Sequence, residues 1–344
     1  MAEQQVAWIG LGNMGRATFA FVTASQEEAW RSGECLRNLP KPHAHGPKCS
    51  ADGLPWISYA SRAAADLRRG MVKNLVEKGP LSKPLIVYNR TQSKAIDLAK
   101  TLLQQIIPVS TVKEAVEKAT IIFICLGDDP AVEISPDTTR RLAQLLESSG
   151  ASFAACPVFG APSAAEAGKL VCVLAGRKES VERVKPFCTG VMGHAIMDLS
   201  TKSEDPGKAS MLKVLGNSVI FRMVSAVSES LVVAEKSDLG VESIHSFLEL
   251  FFPGAAVAYS NRMVSGMYHT LEEPLFAVDL ARKDTRHAMD MAKAVGVRMK
   301  GVEVLDEALQ AAKYHSGAKG DLSAIYGVAR QDAGLKFENN QLGQ

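Results

Sequence analysis

Val6-Ala7-Trp8-Ile9-Gly10-Leu11-Gly12-Asn13-Met14-Gly15 opens the chain with a short apolar run that ends in glycine-spaced residues. Residues 6–10 have the profile of a strand buried on both faces of a parallel sheet. The Gly-x-Gly-x-x-Gly spacing then supplies a tight turn, a close backbone approach and close helix packing, which together seat a pyrophosphate at a helix N-terminus. Gly10, Leu11, Gly12, Asn13, Met14 and Gly15 are therefore expected against a dinucleotide. A second strand should end about 20 residues later, where a side chain meets the adenosine ribose. The candidate, Leu85-Ile86-Val87-Tyr88 followed by Asn89-Arg90-Thr91, lies 74 positions beyond Gly15. Setting aside residues 17–69 as an insertion of 53 residues leaves a spacing of 21. Residues 10–16 then read straight into Gly70-Met71-Val72 as one amphipathic helix stopped by Gly79.

The insertion holds four prolines (40, 42, 47 and 55) and no sustained periodicity. It reads as an unstructured excursion whose removal, joining Arg16 to Gly70, should leave nucleotide binding at least as strong. Cys35, His43, His45 and Cys49 lie in it at a spacing that matches no common zinc finger, and no metal is expected.

Beyond Arg90, helices are expected at 93–104 and 112–118, followed by a buried strand, Ile121 to Leu126. Ligands of such sheets sit outside the carboxyl ends of strands, which places Leu126, Gly127 and Asp128 over the cofactor. A helix at 136–146, strands at 152–158 and 170–175 and a helix at 178–188 complete this part. The link 130–135 is short, and one strand of the sheet is expected to be missing there. From Gly207 the pattern changes to long helical periodicity, with Leu212, Leu215, Val219, Met223 and Val227 on one stripe. Further helices are expected at 241–251, 256–265, 274–295 and 302–315. The reading is an α/β fold, a Rossmann-type doubly wound parallel sheet over 1–203, followed by an all-α domain over 204–335.

Composition excludes some classes of partner. Lys and Arg number 39 against 37 Asp and Glu, a net charge of +2, so nothing suggests nucleic-acid or membrane-surface binding. The six cysteines form no CxxC pair, the N-terminus has no secretory pattern, and no uninterrupted apolar run reaches the length of a membrane span. A cytoplasmic protein with a small-molecule substrate is expected.

Four ordered signatures resemble the β-hydroxyacid dehydrogenase superfamily, which includes 3-hydroxyisobutyrate dehydrogenase-like proteins and the NADP-binding domain of 6-phosphogluconate dehydrogenase. They are Gly10 to Gly15 resumed at Gly70-Met71, Pro157-Val158-Phe159-Gly160-Ala161 through Leu170, Gly207 to Asn217, and Ala281-Arg282-Lys283-Asp284. The resemblance implies a homo-oligomer and hydride transfer between a nicotinamide and a small hydroxy acid or carbonyl. It also implies that Lys213 is the general acid or base, that Asn217 orients substrate, and that Lys283 closes over the cofactor. Lys213 and Asn217 are four apart on an otherwise apolar helix, so they share a face, and burial there would lower a lysine pKa. Arg90, with Thr91, Ser93 and Lys94 nearby, stands where an NAD enzyme has a ribose-binding acid, and a guanidinium fork suits a 2′-phosphate. NADP(H) is expected, with NAD(H) second.

The substrate loop departs from the resemblance. Ala155, Phe159 and Ala161 replace its acid, serine and second glycine, which leaves Phe159, Gly160 and Ala161 to bind a bulkier or less acidic carbonyl, or an imine. The competing reading is a nucleotide-binding or interaction protein that keeps the fold without turnover.

Overall fold

In the computed structural model, residues 4–11, 18–23, 62–102, 105–125 and 135–339 are described. The chain divides into two compact units, Met1–Lys213 and Val214–Gln344.

The first unit is built on an eight-stranded sheet. In chain order its strands are β1 (Val6–Ile9), β2 (Thr18–Thr23), β3 (Leu85–Tyr88), β4 (Ile106–Val109), β5 (Ile121–Ile124), β6 (Ser152–Phe159), β7 (Leu170–Gly176) and β8 (Gly193–Asp198). In space the order is β4-β3-β1-β5-β2-β6-β7-β8. Strands β4, β3, β1 and β5 are mutually parallel. The apolar strands are explained by burial on both faces: Val6 and Trp8 enter one core with Phe123 and Cys156, while Ala7 and Ile9 enter the other with Ile122 and Phe153. The helices are α1 (Arg62–Lys78), α2 (Gln92–Thr101), α3 (Val112–Lys118), α4 (Pro136–Glu147), α5 (Pro162–Glu166) and α6 (Lys178–Val184).

Segment 17–69 is not wholly the unstructured excursion expected of it. Five of the six residues of β2 are β-branched or aromatic, which favours a strand. It runs antiparallel to both β5 and β6, pairing Val22 with Ile122 and with Phe153. The place in the sheet expected to be left empty by the short link 130–135 is therefore filled from the insertion. Excision of 17–69 would remove that strand, so the expectation that the shortened chain binds nucleotide as well is withdrawn.

The helix expected to begin at the glycine turn instead begins at Arg62, about 12 Å of helix ahead of Gly70 at 1.5 Å per residue. Gly70 lies inside α1, where a Cβ would stand 2.7 Å from the backbone nitrogen of Glu166 in α5. Asn74, one turn on, donates to the carbonyls of Ala165 and Glu166 at 2.8 and 3.1 Å and fixes that close approach. The zinc reading of Cys35, His43, His45 and Cys49 falls outside the described residues. Strand β8 and helix α5 were not anticipated: β8 carries half-exposed residues without a clean alternation, and α5 is only five residues long.

Helix α7 (Gly207–Lys236) crosses the division between the units, which falls about ten residues beyond the composition change near 204. Its first turns belong to the sheet unit. Ala209 enters the core there, the Thr139 and Ser210 hydroxyls lie 2.7 Å apart, and Asp205 caps the helix by accepting from the Gly207 N–H at 2.9 Å. Among the described helices only α7 is long and apolar enough to cross a membrane; half of its most apolar stretch is buried in the protein.

The second unit comprises the rest of α7 with α8 (Val241–Phe251), α9 (Ala255–Val264), α10 (Met267–Thr270), α11 (Val278–Ala294), α12 (Lys300–Ser316) and α13 (Ile325–Asp332). Phe221, Val224 and Leu231 of α7 pack there with Tyr268, Leu305, Leu309 and Tyr326.

Candidate active site

The nucleotide end of the first unit is organised by the carboxyl ends of β1 and β3. Gly10 has a φ of +99°, a conformation that glycine adopts without strain. Its N–H donates to the Tyr88 carbonyl at 2.8 Å, and its own carbonyl accepts from the Trp8 indole at 2.8 Å. The Leu11 N–H donates to the Asn89 side-chain oxygen at 2.7 Å, and the Asn89 amide donates to the Thr91 carbonyl at 2.8 Å. Asn89 is thus committed to bracing the two strand ends, whereas Arg90 and Thr91 are exposed beside it. Gly12, Asn13, Met14, Gly15, Leu126, Gly127 and Asp128 lie outside the described residues.

Arg68 and Arg69 of α1 were not foreseen. Arg68 is fully buried and lies against the Cys125 thiol just past β5; burial pushes that thiol up, and the guanidinium opposes it. Burial, and then the charges of Arg69 and Arg68, hold the Lys94 ammonium below the usual lysine range. Three cations therefore gather where α1 approaches the strand ends. The signal was present in the sequence. Leu67-Arg68-Arg69 precedes Gly70 just as Met14-Gly15-Arg16 would after excision, but reading 17–69 as foreign hid it.

A second cluster lies at the far end of β6. Lys213, 7% exposed, donates from Nζ to the Val158 carbonyl at 2.7 Å, and the same nitrogen lies 4.3 Å from the centroid of the Phe159 ring. A buried ammonium is held by a carbonyl dipole and an aromatic face, both of which favour the cation. Phe159 was read from sequence as apolar pocket surface; its stacking under Lys213 is a further role. Gly160 follows at φ +141°, and a Cβ there would stand 2.5 Å from the Leu170 side chain. Ala161 is exposed at the start of α5.

Asn217, four residues beyond Lys213 on α7, is buried in the second unit and donates to Asp284 of α11 at 2.8 Å. Lys283 is half-buried beside that aspartate. The geometry therefore unites Lys213 with Val158 and Phe159, and Asn217 with Asp284.

The profile of the NAD-binding domain of 6-phosphogluconate dehydrogenase matches residues 69–134 and 133–200, and that of NADP-dependent 3-hydroxyisobutyrate dehydrogenase matches residues 207–329. The first match begins where the insertion ends and breaks at the short link. An NADH-dependent oxidoreductase of Aspergillus ustus is 32% identical over 289 residues, 78% of this chain and 97% of its own. The 2-hydroxy-3-oxopropionate reductase of Escherichia coli is 25% identical over 245 residues, 64% of this chain and 81% of its own. Among solved structures, Mycobacterium tuberculosis 3-hydroxyisobutyrate dehydrogenase with L-serine aligns with a TM-score of 0.62 at 19% identity, covering 95% of this chain and 99% of its own. At that identity the likeness is one of fold.

Proposed function

The chain belongs to the β-hydroxyacid dehydrogenase superfamily and is an NAD(P)-binding oxidoreductase, and on that premise we propose that it reduces a small carbonyl or imine, or oxidises the matching hydroxy acid, with NADP(H). The observation that carries the reading is Lys213, an ammonium sealed between the Val158 carbonyl and the Phe159 ring.

The cations fit an anionic dinucleotide. Residues 62–69 are helical, so the N–H groups of residues 66–69 serve the helix, and side-chain cations take over the phosphate role that open N–H groups have at a helix start. Arg69 and Lys94 would hold phosphate oxygens with the buried charge of Arg68 behind them, and Arg90 with Thr91 would take a 2′-phosphate, which supports NADP(H) over NAD(H). The relative from Aspergillus ustus is named for NADH, so this preference is the part of the reading most exposed to test.

When bound, the nicotinamide supplies hydride. Lys213 then gives a proton to the carbonyl oxygen in reduction, or takes one from the hydroxyl in oxidation, while the Val158 carbonyl keeps the ammonium aimed. Asn217, steadied by Asp284, orients the substrate. Phe159 presents an aromatic surface in place of a hydroxyl, which favours a bulkier or less acidic carbonyl over a simple 3-hydroxy acid. A homo-oligomer belongs to the same proposal, supported by the exposed side chains of Phe247, Leu250 and Phe251 on α8 and of Phe252 just after it, with Leu250 at 80%.

The test is NADPH consumption across a panel of carbonyls and imines, repeated with Lys213→Ala. We expect turnover by the unmodified chain and a fall of about 10²- to 10⁴-fold in kcat, with cofactor Kd changed by less than about twofold. Undiminished turnover in the variant would remove Lys213 from the chemistry. NADPH binding without turnover of any substrate in the panel would favour the non-catalytic reading.

A further inference from the structure

Cys156, Cys172 and Cys188 place their three sulfurs within 4.8 Å of one another in the first unit, all buried. They come from three separate segments. Cys156 on β6 and Cys172 on β7 point to the same face of the sheet, where Cys172 pairs with Val158 and Cys156 sits two residues away on the neighbouring strand. Cys188 arrives from the turn after α6, where its S–H makes a 3.6 Å contact with the Val184 carbonyl. The backbone of Gly193 packs closely over Cys172: a Cβ there would stand 3.1 Å from that sulfur and 2.4 Å from the Leu170 carbonyl oxygen, so only glycine fits beside the cluster. His194 follows it at the surface, within electrostatic reach of Cys172.

We propose that this cluster is a binding site for one soft monovalent cation, Cu(I), held by three sulfurs in a trigonal plane. Trigonal coordination with metal–sulfur bonds of about 2.3 Å needs sulfurs roughly 4 Å apart, which the cluster reaches with movements of less than an ångström. Thiolate donors select soft metals. Structural Zn(II) requires a fourth ligand, and among the described residues no further histidine, cysteine or carboxylate joins the group. In binding, three copper–sulfur bonds replace copper's bonds to the ligand that delivers it, which is released, and the thiol protons still present leave to solvent; copper stays in its monovalent state, so no oxidant or reductant is consumed. The site faces the core opposite the Ala155 side of β6 and uses none of the residues assigned to the oxidoreductase.

The experiment uses the full chain carrying Cys35→Ser and Cys49→Ser, loaded anaerobically with one equivalent of Cu(I) as its acetonitrile complex and challenged with the chelator bicinchoninate. We expect one copper retained per chain, with retention weakened at least about 100-fold by Cys156→Ala, Cys172→Ala or Cys188→Ala. A copper K-edge spectrum of the loaded background chain needs no core substitution and should show three sulfur neighbours. Nitrogen or oxygen in that shell, or retention by the three variants equal to that of the background chain, would overturn the site.

Discussion

Lys213 and Arg68 are both cations enclosed within the first unit, and they reach their places by different routes. Lys213 comes from the second turn of a long helix that starts where composition says it should, and its partners, Val158 and Phe159, end an ordinary strand. Arg68 comes from the last residues of a segment with no counterpart in the matched profile, through a helix that starts eight residues ahead of Gly70. The sheet beneath them is shared. The difference shows that the sheet persists beside a segment the profile does not match, and that a buried guanidinium reaches the carboxyl end of β5 from that segment.

The comparison breaks most completely if segment 17–69 is removed. Joining Arg16 to Gly70 deletes β2 together with Arg68 and Arg69, and we expect loss of cooperative unfolding and of NADPH binding. Lys213→Ala should keep both. A shortened chain that melts cooperatively and binds NADPH would show that β5 and β6 can close the gap without β2.

A single residue makes the same point more gently. Val22 is fully buried between Ile122 and Phe153. An unpaired carboxylate there, Val22→Asp, should cost about 3 kcal/mol or more in denaturant unfolding. A cost below about 1 kcal/mol would mean that β2 contributes little to the sheet.

The nucleotide end is sharpened by Arg90→Asp, which removes a cation and restores a ribose acceptor. We expect the ratio of NADPH to NADH affinity to fall about tenfold or more, corresponding to about 1.4 kcal/mol. If the unmodified chain already binds NADH more tightly, the 2′-phosphate reading of Arg90 and Thr91 fails.

The smallest effect belongs to the cap of α7. Two Arg140 nitrogens donate to the Asp205 carboxylate at 2.9 to 3.2 Å, and this partner holds that carboxyl below its usual range. A depressed carboxyl adds stability above its unfolded pKa of about 4 and loses it as pH falls through the folded value. Because the pair is partly exposed, Asp205→Asn should cost only about 1 kcal/mol at pH 7. The gap should close below about pH 4, as measured by urea midpoints at several pH values; a gap independent of pH would assign the cost to lost cap geometry.

What could be read from sequence divides along the same line. Strands β1, β3 and β5 were legible because apolar runs buried on both faces have few other homes, and α7 because its apolar periodicity persists over many turns, although the stripe read for it does not wholly face a core: Leu215 and Val219 are 38% and 58% exposed, while Phe221, Val224 and Leu231 are buried. Lys213 and Asn217 were legible as a spaced pair in a matching motif. Strand β2 was hidden, although Thr18 to Thr23 is rich in β-branched and aromatic residues, because its partners lie far along the chain and no local spacing announces them. Asn89 read as a ligand residue, and its commitment to the Leu11 and Thr91 backbone depends on two strand ends meeting. The Phe159 ring under Lys213 is likewise a tertiary fact that residue type alone does not carry.

The antiparallel pairing of β2 also sets an order of events during synthesis. Thr18–Thr23 leaves the ribosome early, but its β5 partners are made about 100 residues later and its β6 partners about 130 to 140 residues later. Until Ser152–Phe159 has emerged, a strand rich in aromatic and β-branched residues has one edge unmatched, a condition that slows folding and invites association with other nascent chains. Holding factors that engage the first 150 residues on the ribosome would therefore govern the yield of this protein more than the steepness of its final melting curve.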